Sequence, residues 1–154
     1  MNIRKQFFIW LLFVWVLTAF TFPPGGKRMN HNRIVFAAEE AEKLSFLKNE
    51  APFWTPTLDQ IRELELLLLK YLEAHPPIDD KPVMNFNEYG RQYMGVTKNH
   101  RRLIYLNAFC DPSRFGERWE KELIRVKDGG SCYFQVYFYP VKREFIDLQY
   151  NGQA

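Results

Sequence analysis

The chain has 154 residues, of which 47% are hydrophobic and 25% charged, a composition that supports a packed core and excludes global disorder. The formal net charge is +3, but residues 1–37 hold five basic side chains and no acidic one. The rest of the chain therefore has 16 basic residues (21 less five) and 18 acidic ones, a net charge of −2. A nearly neutral remainder has no electrostatic footprint for nucleic acid, so nucleic acid is excluded as the predicted partner.

The chain begins with a predicted targeting segment, residues 1–37. Arg4 and Lys5 precede residues 7–22, which are all apolar except for two threonines. This order is typical of a signal peptide, and residues 35–37 (VFA) offer a cleavage site. The same run could instead stay in place as an N-terminal anchor, with residues 7–22 as the only membrane contact. We predict export to the periplasm or the extracellular space, and tethering to the inner membrane stays open.

An arm of residues 38–56 precedes a helix. The arm carries an aromatic pair, Phe53 and Trp54, which we expect to pack onto the domain. Thr57 and Gln60 have the spacing of a capping box, in which each side chain bonds the other residue's backbone N–H. The following apolar residues recur at Ile61, Leu64, Leu68, Tyr71 and Leu72. This spacing predicts a helix with one buried face, which the prolines after His75 bring to an end.

Beyond residue 87 the hydrophobic pattern changes to period two, which indicates strands. The candidate strands are residues 89–97, 102–110, 122–127, 132–139 and 144–150. One face collects Ile104, Leu106, Ala108, Cys110, Ile124, Val126, Cys132, Phe134, Val136, Phe138, Ile146, Leu148 and Tyr150. We therefore predict one α+β domain over residues 57–154, with the main helix packed on an antiparallel sheet of about four to five strands. Its likeness to cystatin-like architectures is one of general layout only.

Two turns set the expected register of the later strands. A three-residue loop at Asp128-Gly129-Gly130 would pair Val126 with Cys132 and keep both on the apolar face. A loop of residues 141–143 would pair Phe138 with Ile146.

The cysteines, Cys110 and Cys132, both fall on the apolar face. An isolated pair in an exported protein is read first as a disulfide. A plain meander that includes residues 122–127 as a strand would hold the two cysteines apart, however. Either the disulfide forms and the sheet is not a plain meander, or the thiols are buried separately; we favour the disulfide.

The opposite face of the sheet is rich in tyrosine and amide side chains. By alternation it carries Arg91, Tyr93, Tyr105, Asn107, Tyr133, Gln135, Tyr137 and Tyr139. Tyrosine supplies rigid apolar area with a polar tip, as in many recognition surfaces, so these residues are the predicted binding site. The alternative is a cross-strand aromatic ladder that only stabilises the sheet beneath the arm.

Common catalytic motifs are missing from the sequence, among them His-Glu-x-x-His, Cys-x-x-Cys, Gly-x-Ser-x-Gly and the Gly-rich phosphate loop. We predict an exported, non-enzymatic module that binds an unidentified protein or small molecule, with no catalytic residue, cofactor or metal. The alternative is a small hydrolase or anion-binding enzyme that uses His100, Arg101 and Arg102, together with Asp111 if the fold brings it near.

Four stretches of the chain carry a resemblance to a known group. They are RQYxG at residues 91–95, IYLNAFC at 104–110, DGGSCYF at 128–134 and NGQA at 151–154. In combination they resemble a family of small exported bacterial proteins of unknown function, over about residues 53–154. The resemblance implies an exported bacterial setting and a helix-and-sheet domain, and it supplies no catalytic or binding residue.

Overall fold

A computed structural model describes residues 27–29, 32–77 and 85–152. Within them the helices are α1 (Ala38–Ala41) and α2 (Leu58–Ala74), and 3-10 turns cover Ser45–Glu50, Phe86–Glu88, Pro112–Glu120 and Gly130–Cys132. The strands are β1 (Lys27–Met29), β2 (Arg33–Val35), β3 (Gly90–Lys98), β4 (Arg101–Phe109), β5 (Tyr133–Tyr139) and β6 (Glu144–Tyr150). These six strands of the described residues form one sheet, in the order in which they occur in the chain.

Helix α2 begins at the predicted capping box. The Thr57 hydroxyl oxygen accepts from the Gln60 backbone N–H at 3.3 Å, and Gln60 Oε1 accepts from the Thr57 N–H at 2.9 Å. The buried residues of α2 are Ile61, Leu64, Leu68 and Leu72. They form one core with Ile104, Leu106, Ala108, Phe134, Val136 and Phe138 of the sheet. The predicted α+β class, with the helix packed on the sheet, is therefore confirmed.

The sheet is mixed rather than wholly antiparallel. Strands β3 to β6 are successive antiparallel neighbours, whereas β2 runs parallel to β3. β2 lies within residues 1–37, yet Ile34 and Phe36 are 0% and 1% exposed. The packed core therefore includes residues upstream of the arm.

A second apolar core covers the other face of the sheet. The N-terminal region contributes Phe36, Ala41 and Leu47, and the connection between β4 and β5 contributes Trp119 and Ile124. The sheet residues in this core include Met94, Val96, Leu103, Tyr105, Phe109, Tyr133 and Tyr137. The sheet is thus the middle layer of three, with α2 on one side and irregular segments on the other.

Residues 122–127 do not form a strand, so that prediction was wrong. They cross the second face, and Ile124 is buried there instead of on the helix side. A segment that lies on a sheet also turns alternate side chains towards it, which explains the misleading pattern. The predicted pairing of Val126 with Cys132 is not formed, because β4 pairs directly with β5 and Asp128 bridges Gly152.

Direct pairing of β4 with β5 brings the cysteines together. Cys110 and Cys132 form a disulfide with a Cα–Cα distance of 5.1 Å, and the Cys110 N–H donates to the Cys132 carbonyl oxygen at 2.9 Å. The favoured disulfide is confirmed. It is compatible with a meander of β3 to β6 because the intervening strand does not exist.

The connection between β5 and β6 is longer by one residue than predicted. It covers residues 140–143, and Arg143 adopts a left-handed φ of 58°. Phe138 consequently pairs with Phe145, so the predicted pairing of Phe138 with Ile146 was wrong.

A bulge changes the register in the middle of β6. Gln135 pairs with Gln149 but Tyr137 pairs with Ile146, so β6 has one more residue than β5 between these pairs. Asp147 takes a left-handed φ of 54° at this point. Ile146, before the bulge, pairs with Tyr137 in register with the turn and so joins the second core. The bulge re-aims the side chains that follow it, so Leu148 and Tyr150 pack on the helix side.

No helix in the described part of the chain is long and apolar enough to cross a membrane. The apolar run of residues 7–22, predicted as a signal peptide or anchor, lies outside the described residues.

Candidate functional site

The predicted binding residues divide between the two faces of the sheet. Arg91 pairs with Ala108 and Tyr93 with Leu106, and directly paired residues share a face of the sheet. Because Ala108 and Leu106 belong to the core beneath α2, so does Tyr93. The predicted position of Arg91 and Tyr93 on the second face was therefore wrong.

A turn signal in the sequence would have given the correct register for β3 and β4. Asn99 and His100 form a two-residue turn with φ of 50° and 60°, which places Lys98 opposite Arg101. Two left-handed residues in succession define the hairpin turn that best fits twisted strands, and asparagine is favoured there. Counting back from that turn leads to the observed pairs.

The remaining predicted residues do share the second face, but most of them are covered. They are Tyr105, Asn107, Tyr133, Gln135, Tyr137 and Tyr139. Tyr105 and Tyr137 are 4% and 9% exposed, whereas Gln135 and Tyr139 are half-buried. Much of this face is therefore covered, as it would be in the cross-strand aromatic ladder that we gave as the alternative to a binding surface.

Amide side chains of the sheet hold the segment that crosses them. Gln92 Nε2 donates to the carbonyl oxygens of Trp119 and Glu122, both at 2.6 Å. Gln92 Oε1 accepts from the Ile124 N–H at 2.9 Å, and Asn107 Nδ2 donates to the Ile124 carbonyl oxygen at 2.8 Å. These side chains supply the hydrogen bonds that a neighbouring strand would otherwise provide. Asn107 therefore serves chiefly to hold the covering segment in place.

Between the crossing segment, the arm and β6 lies a cavity of about 340 Å³, which we call the Tyr137 cleft. It brings together four of the predicted residues, namely Tyr105, Asn107, Gln135 and Tyr137. The other polar residues of its lining are Asn49, Glu50, Lys98, Arg125, Asp147, Gln149 and Asn151. The part of the tyrosine-rich face that stays accessible is therefore a concave site rather than a flat surface.

Tyr137 contributes both its ring and its hydroxyl to the cleft. The hydroxyl donates to Glu50 Oε1 at 2.5 Å, and the ring centroid lies 5.1 Å from that of Tyr105. Burial and the hydrogen bond to Glu50 raise the pKa of Tyr137, and burial raises the pKa of Tyr105. Both phenols are therefore neutral near pH 7.

The second carboxylate oxygen of Glu50 is enclosed by the protein. This atom, Oε2, is buried and has no hydrogen-bond partner in the part of the chain that the structure describes. Buried carboxylate oxygens normally accept hydrogen bonds, because leaving them without a partner is energetically costly. Glu50 therefore carries one unsatisfied buried oxygen beside the oxygen that accepts from Tyr137.

An ammonium group of the chain itself lies over the ring of Tyr137. Lys98 Nζ is 4.5 Å from the ring centroid and 2.8 Å from Asp147 Oδ2. Lys98 is the last residue of β3, and Asp147 stands at the bulge of β6. The bulge thus brings a carboxylate to a face that simple alternation would reserve for other residues.

Sequence reasoning missed Glu50, Arg125 and Asp147 as residues of this site. Lys98, two residues before His100 in the sequence, was not predicted as a residue of this site either. The Asn99-His100 turn would have located Lys98, but no sequence signal marks the bulge that positions Asp147. Glu50 depends on how the arm folds back over the sheet, which a local pattern does not reveal.

On the helix side, Arg91 and Tyr93 belong to a buried ionic cluster. Glu65 Oε1 accepts from Arg91 Nη1 at 2.9 Å and from the Tyr93 hydroxyl at 2.6 Å, and Glu65 Oε2 lies 3.2 Å from Arg33 Nη1. Burial lowers the pKa of Arg91, while burial, followed by the charge of Glu65, raises the pKa of Tyr93 well above its usual range. The cluster ties α2 to β2 and β3, so we assign it a structural role.

The groups of the alternative enzyme hypothesis lie apart. His100 is exposed at the β3–β4 turn, whereas Asp111 follows the other end of β4, roughly 30 Å away along a nine-residue strand. The Arg102 guanidinium carbon lies 4.2 Å from the ring centroid of Trp54. Arg102 therefore packs on the arm, and the structure does not bring Asp111 to His100.

A broader depression of about 730 Å³ lies along the 3-10 turn after β4. Its acidic residues are Glu88, Asp111, Glu117 and Glu120. Glu117 pairs with Lys121 at 3.0 Å, and the Ser113 hydroxyl donates to Asp111. Among the described residues, no group of three or more His, Cys, Asp or Glu side chains is placed to hold a metal ion.

The fold and the cleft define an α+β protein whose central sheet carries a small polar site on the face opposite its main helix. Comparison of the chain with protein-family models, with curated proteins and with solved structures found no significant match.

Proposed function

We propose that the chain is an exported, non-enzymatic module that binds a small polar molecule in the Tyr137 cleft. The observation that carries this proposal is the cleft itself, a cavity of about 340 Å³ on the predicted binding face. Ligand sites commonly measure about 300–1,000 Å³ and combine aromatic walls with a few polar groups. The cleft lies at the small end of this range, which favours a small molecule over a protein surface.

The chemistry of the lining indicates a polar ligand. The paired rings of Tyr105 and Tyr137 offer apolar contact area, while Glu50, Arg125 and Asp147 place charges of both signs around it. An apolar ligand would displace water from these charged groups without replacing its hydrogen bonds, at a cost in free energy.

Export is part of the same proposal. The disulfide between Cys110 and Cys132 supports it, because such bonds persist in oxidising compartments and are rare in the cytosol of most organisms. The basic and apolar pattern of residues 1–22 supports it independently.

A ligand screen with two matched tryptophan variants tests the proposal. Thermal unfolding would be followed with a panel of free amino acids, short alkylamines, monosaccharides and dicarboxylates, and compounds that stabilise the protein would be titrated by calorimetry. Gln149→Trp places a bulky ring on an exposed residue of the cleft lining, whereas Val141→Trp places the same ring on the exposed β5–β6 turn.

We expect at least one compound to bind the native chain and the Val141→Trp variant equally, and to lose affinity for Gln149→Trp by about tenfold or more, the equivalent of about 1.4 kcal/mol. If no compound binds, or if the affinity of every bound compound is the same for Gln149→Trp as for the native chain, a ligand site in the Tyr137 cleft is contradicted.

A further inference from the structure

The Tyr137 cleft already holds a ligand-like group of its own chain. The Lys98 ammonium lies over the Tyr137 ring at 4.5 Å from the centroid and contacts the Asp147 carboxylate at 2.8 Å. An aromatic face together with a carboxylate is the arrangement by which proteins recognise alkylammonium groups. This subsite is therefore built for a cation, and Lys98 shows the position that the cation takes.

We infer that the ligand of the Tyr137 cleft carries a primary ammonium group and that Lys98 is a built-in competitor for its subsite. The inference rests on the proposed function, which it makes more specific. In the ligand-bound state the Lys98 side chain turns out to solvent, and the ligand ammonium takes its place between Tyr137 and Asp147.

Displacement of Lys98 requires little rearrangement. The Lys98 and Asp147 side chains are 35% and 49% exposed, and exposed ion pairs contribute little to stability. Lysine also has a long flexible stem, so its ammonium can leave the cleft while the backbone of β3 stays in place.

Once the Lys98 ammonium has left, the lining of the cleft has more acidic than basic residues, which favours a positively charged ligand group. Asp147 and Glu50 are then the two acidic residues of the cleft lining. Arg125 is the remaining basic residue of the lining. A ligand with an ammonium group at one end and a further donor group fits this distribution.

Pentylamine is a suitable probe, because it has the charge of a lysine side chain and its five carbons correspond to the side chain together with Cα. Its binding would be measured by calorimetry on the native chain, on Lys98→Met and on Lys142→Met, which removes the same charge from the exposed β5–β6 turn. Pentanol, which has the same length and no charge, serves as the control compound. Circular dichroism verifies that each variant is folded.

We expect Lys98→Met to bind pentylamine about tenfold more tightly than the native chain. If the Lys98 ammonium fills the subsite about nine-tenths of the time, only about one tenth of the native molecules have a free subsite, and the substitution frees it in all of them. Lys142→Met should match the native chain, and pentanol should bind none of the three. Adding Asp147→Asn to Lys98→Met should abolish the gain. Asparagine suits this position because it tolerates the left-handed backbone of Asp147.

Equal affinity of Lys98→Met and Lys142→Met for pentylamine would overturn the inference, as would equal binding of pentanol. If another compound of the screen binds the cleft while pentylamine does not bind Lys98→Met, the inference fails and the proposed function stands. If no compound binds the native chain or Lys98→Met in the cleft, both fail together.

Discussion

Asn107 Nδ2 lies 2.8 Å from the carbonyl oxygen of Ile124, so a side chain of β4 satisfies the backbone of the segment that covers the sheet. Gln92, its neighbour across β3 and β4, binds the same segment and accepts from Asn107 at 2.9 Å. Both amide side chains are buried, and the hydrogen bond between them fixes the orientation of each. One face of the sheet therefore carries a covering that is held by side chains rather than by strand pairing.

Replacing Asn107 by leucine should lower the free energy of unfolding by about 1–3 kcal/mol, because the buried Ile124 carbonyl oxygen and Gln92 Oε1 each lose a donor. Urea unfolding measures the change. The control is Gln149→Leu, which alters an exposed amide of β6 and should stay within about 0.5 kcal/mol of the native chain. Equal effects of the two substitutions would show that the amide network does not hold the covering segment.

Replacing Glu65 by glutamine should cost about 3–5 kcal/mol, because it removes a buried carboxylate that both the Arg91 guanidinium and the Tyr93 hydroxyl contact. Glu63→Gln is the matched control on the same helix, since Glu63 pairs with a largely exposed Arg143 and should contribute less than about 1 kcal/mol. Both values come from denaturant unfolding. A Glu65→Gln variant as stable as Glu63→Gln would contradict a stabilising cluster.

Reduction of the disulfide should destabilise the protein by roughly 3–4 kcal/mol, because the bond closes a loop between residues 22 apart in sequence. The measurement is thermal unfolding with and without reductant. A variant with both Cys110→Ala and Cys132→Ala provides the control, and reductant should leave its midpoint unchanged. If reductant shifts that variant as much as the native chain, the effect does not come from the disulfide.

Stability should fall as the pH rises above about 10, the ordinary pKa of tyrosine. Burial raises the folded-state pKa of Tyr93, Tyr105 and Tyr137, so above that pH the unfolded chain releases protons that the folded chain retains. Their contribution is complete below the unfolded pKa and is lost as the pH rises towards the folded values. Unfolding free energies across this range, with ultraviolet absorbance reporting tyrosinate, measure the effect; Tyr137→Phe should reduce the slope.

A chain that begins at Ala38 should be less stable than one that begins at Lys27 by at least about 3 kcal/mol. It lacks two side chains, Ile34 and Phe36, that are buried in the second core, and each contributes about 1.5–3 kcal/mol. Thermal unfolding of the two chains tests this. If the N-terminal segment is cleaved on export, we accordingly expect the cut upstream of Arg33, which the intact mass of the exported product would report.

Local patterns were sufficient to predict the main helix and four of the strands. The Thr57 capping box and the spacing of Ile61, Leu64 and Leu68 locate α2, because backbone termini and one buried face act within a few residues. Strict alternation likewise identifies β5, whose faces are both buried against different layers. The disulfide follows from the number of cysteines and their shared face.

The errors arose where long-range geometry decides the outcome. Ile124 alternates with Val126 as in a strand, but a segment lying across a sheet has the same alternation. The bulge at Asp147 has no sequence mark, and it places this carboxylate in the lining of the cleft. The position of Glu50 depends on the path of the arm. The sequence therefore predicted four of the residues that line the cleft, but not the charged residues Glu50, Arg125 and Asp147 beside them.

The disulfide closes residues 111–131 into a covalent ring whose two ends meet on neighbouring strands. Three members of the ring, Ile124, Arg125 and Val126, form one wall of the cleft. Because the chain ends are clamped, doubling the length of such an excursion adds only about 0.6 kcal/mol of closure cost. The buried anchors of this ring, Trp119 and Ile124, hold it to the sheet, whereas Arg125 is exposed beside them. Changes of sequence at and after Arg125 would therefore give the cleft a different wall while the covering segment stays attached.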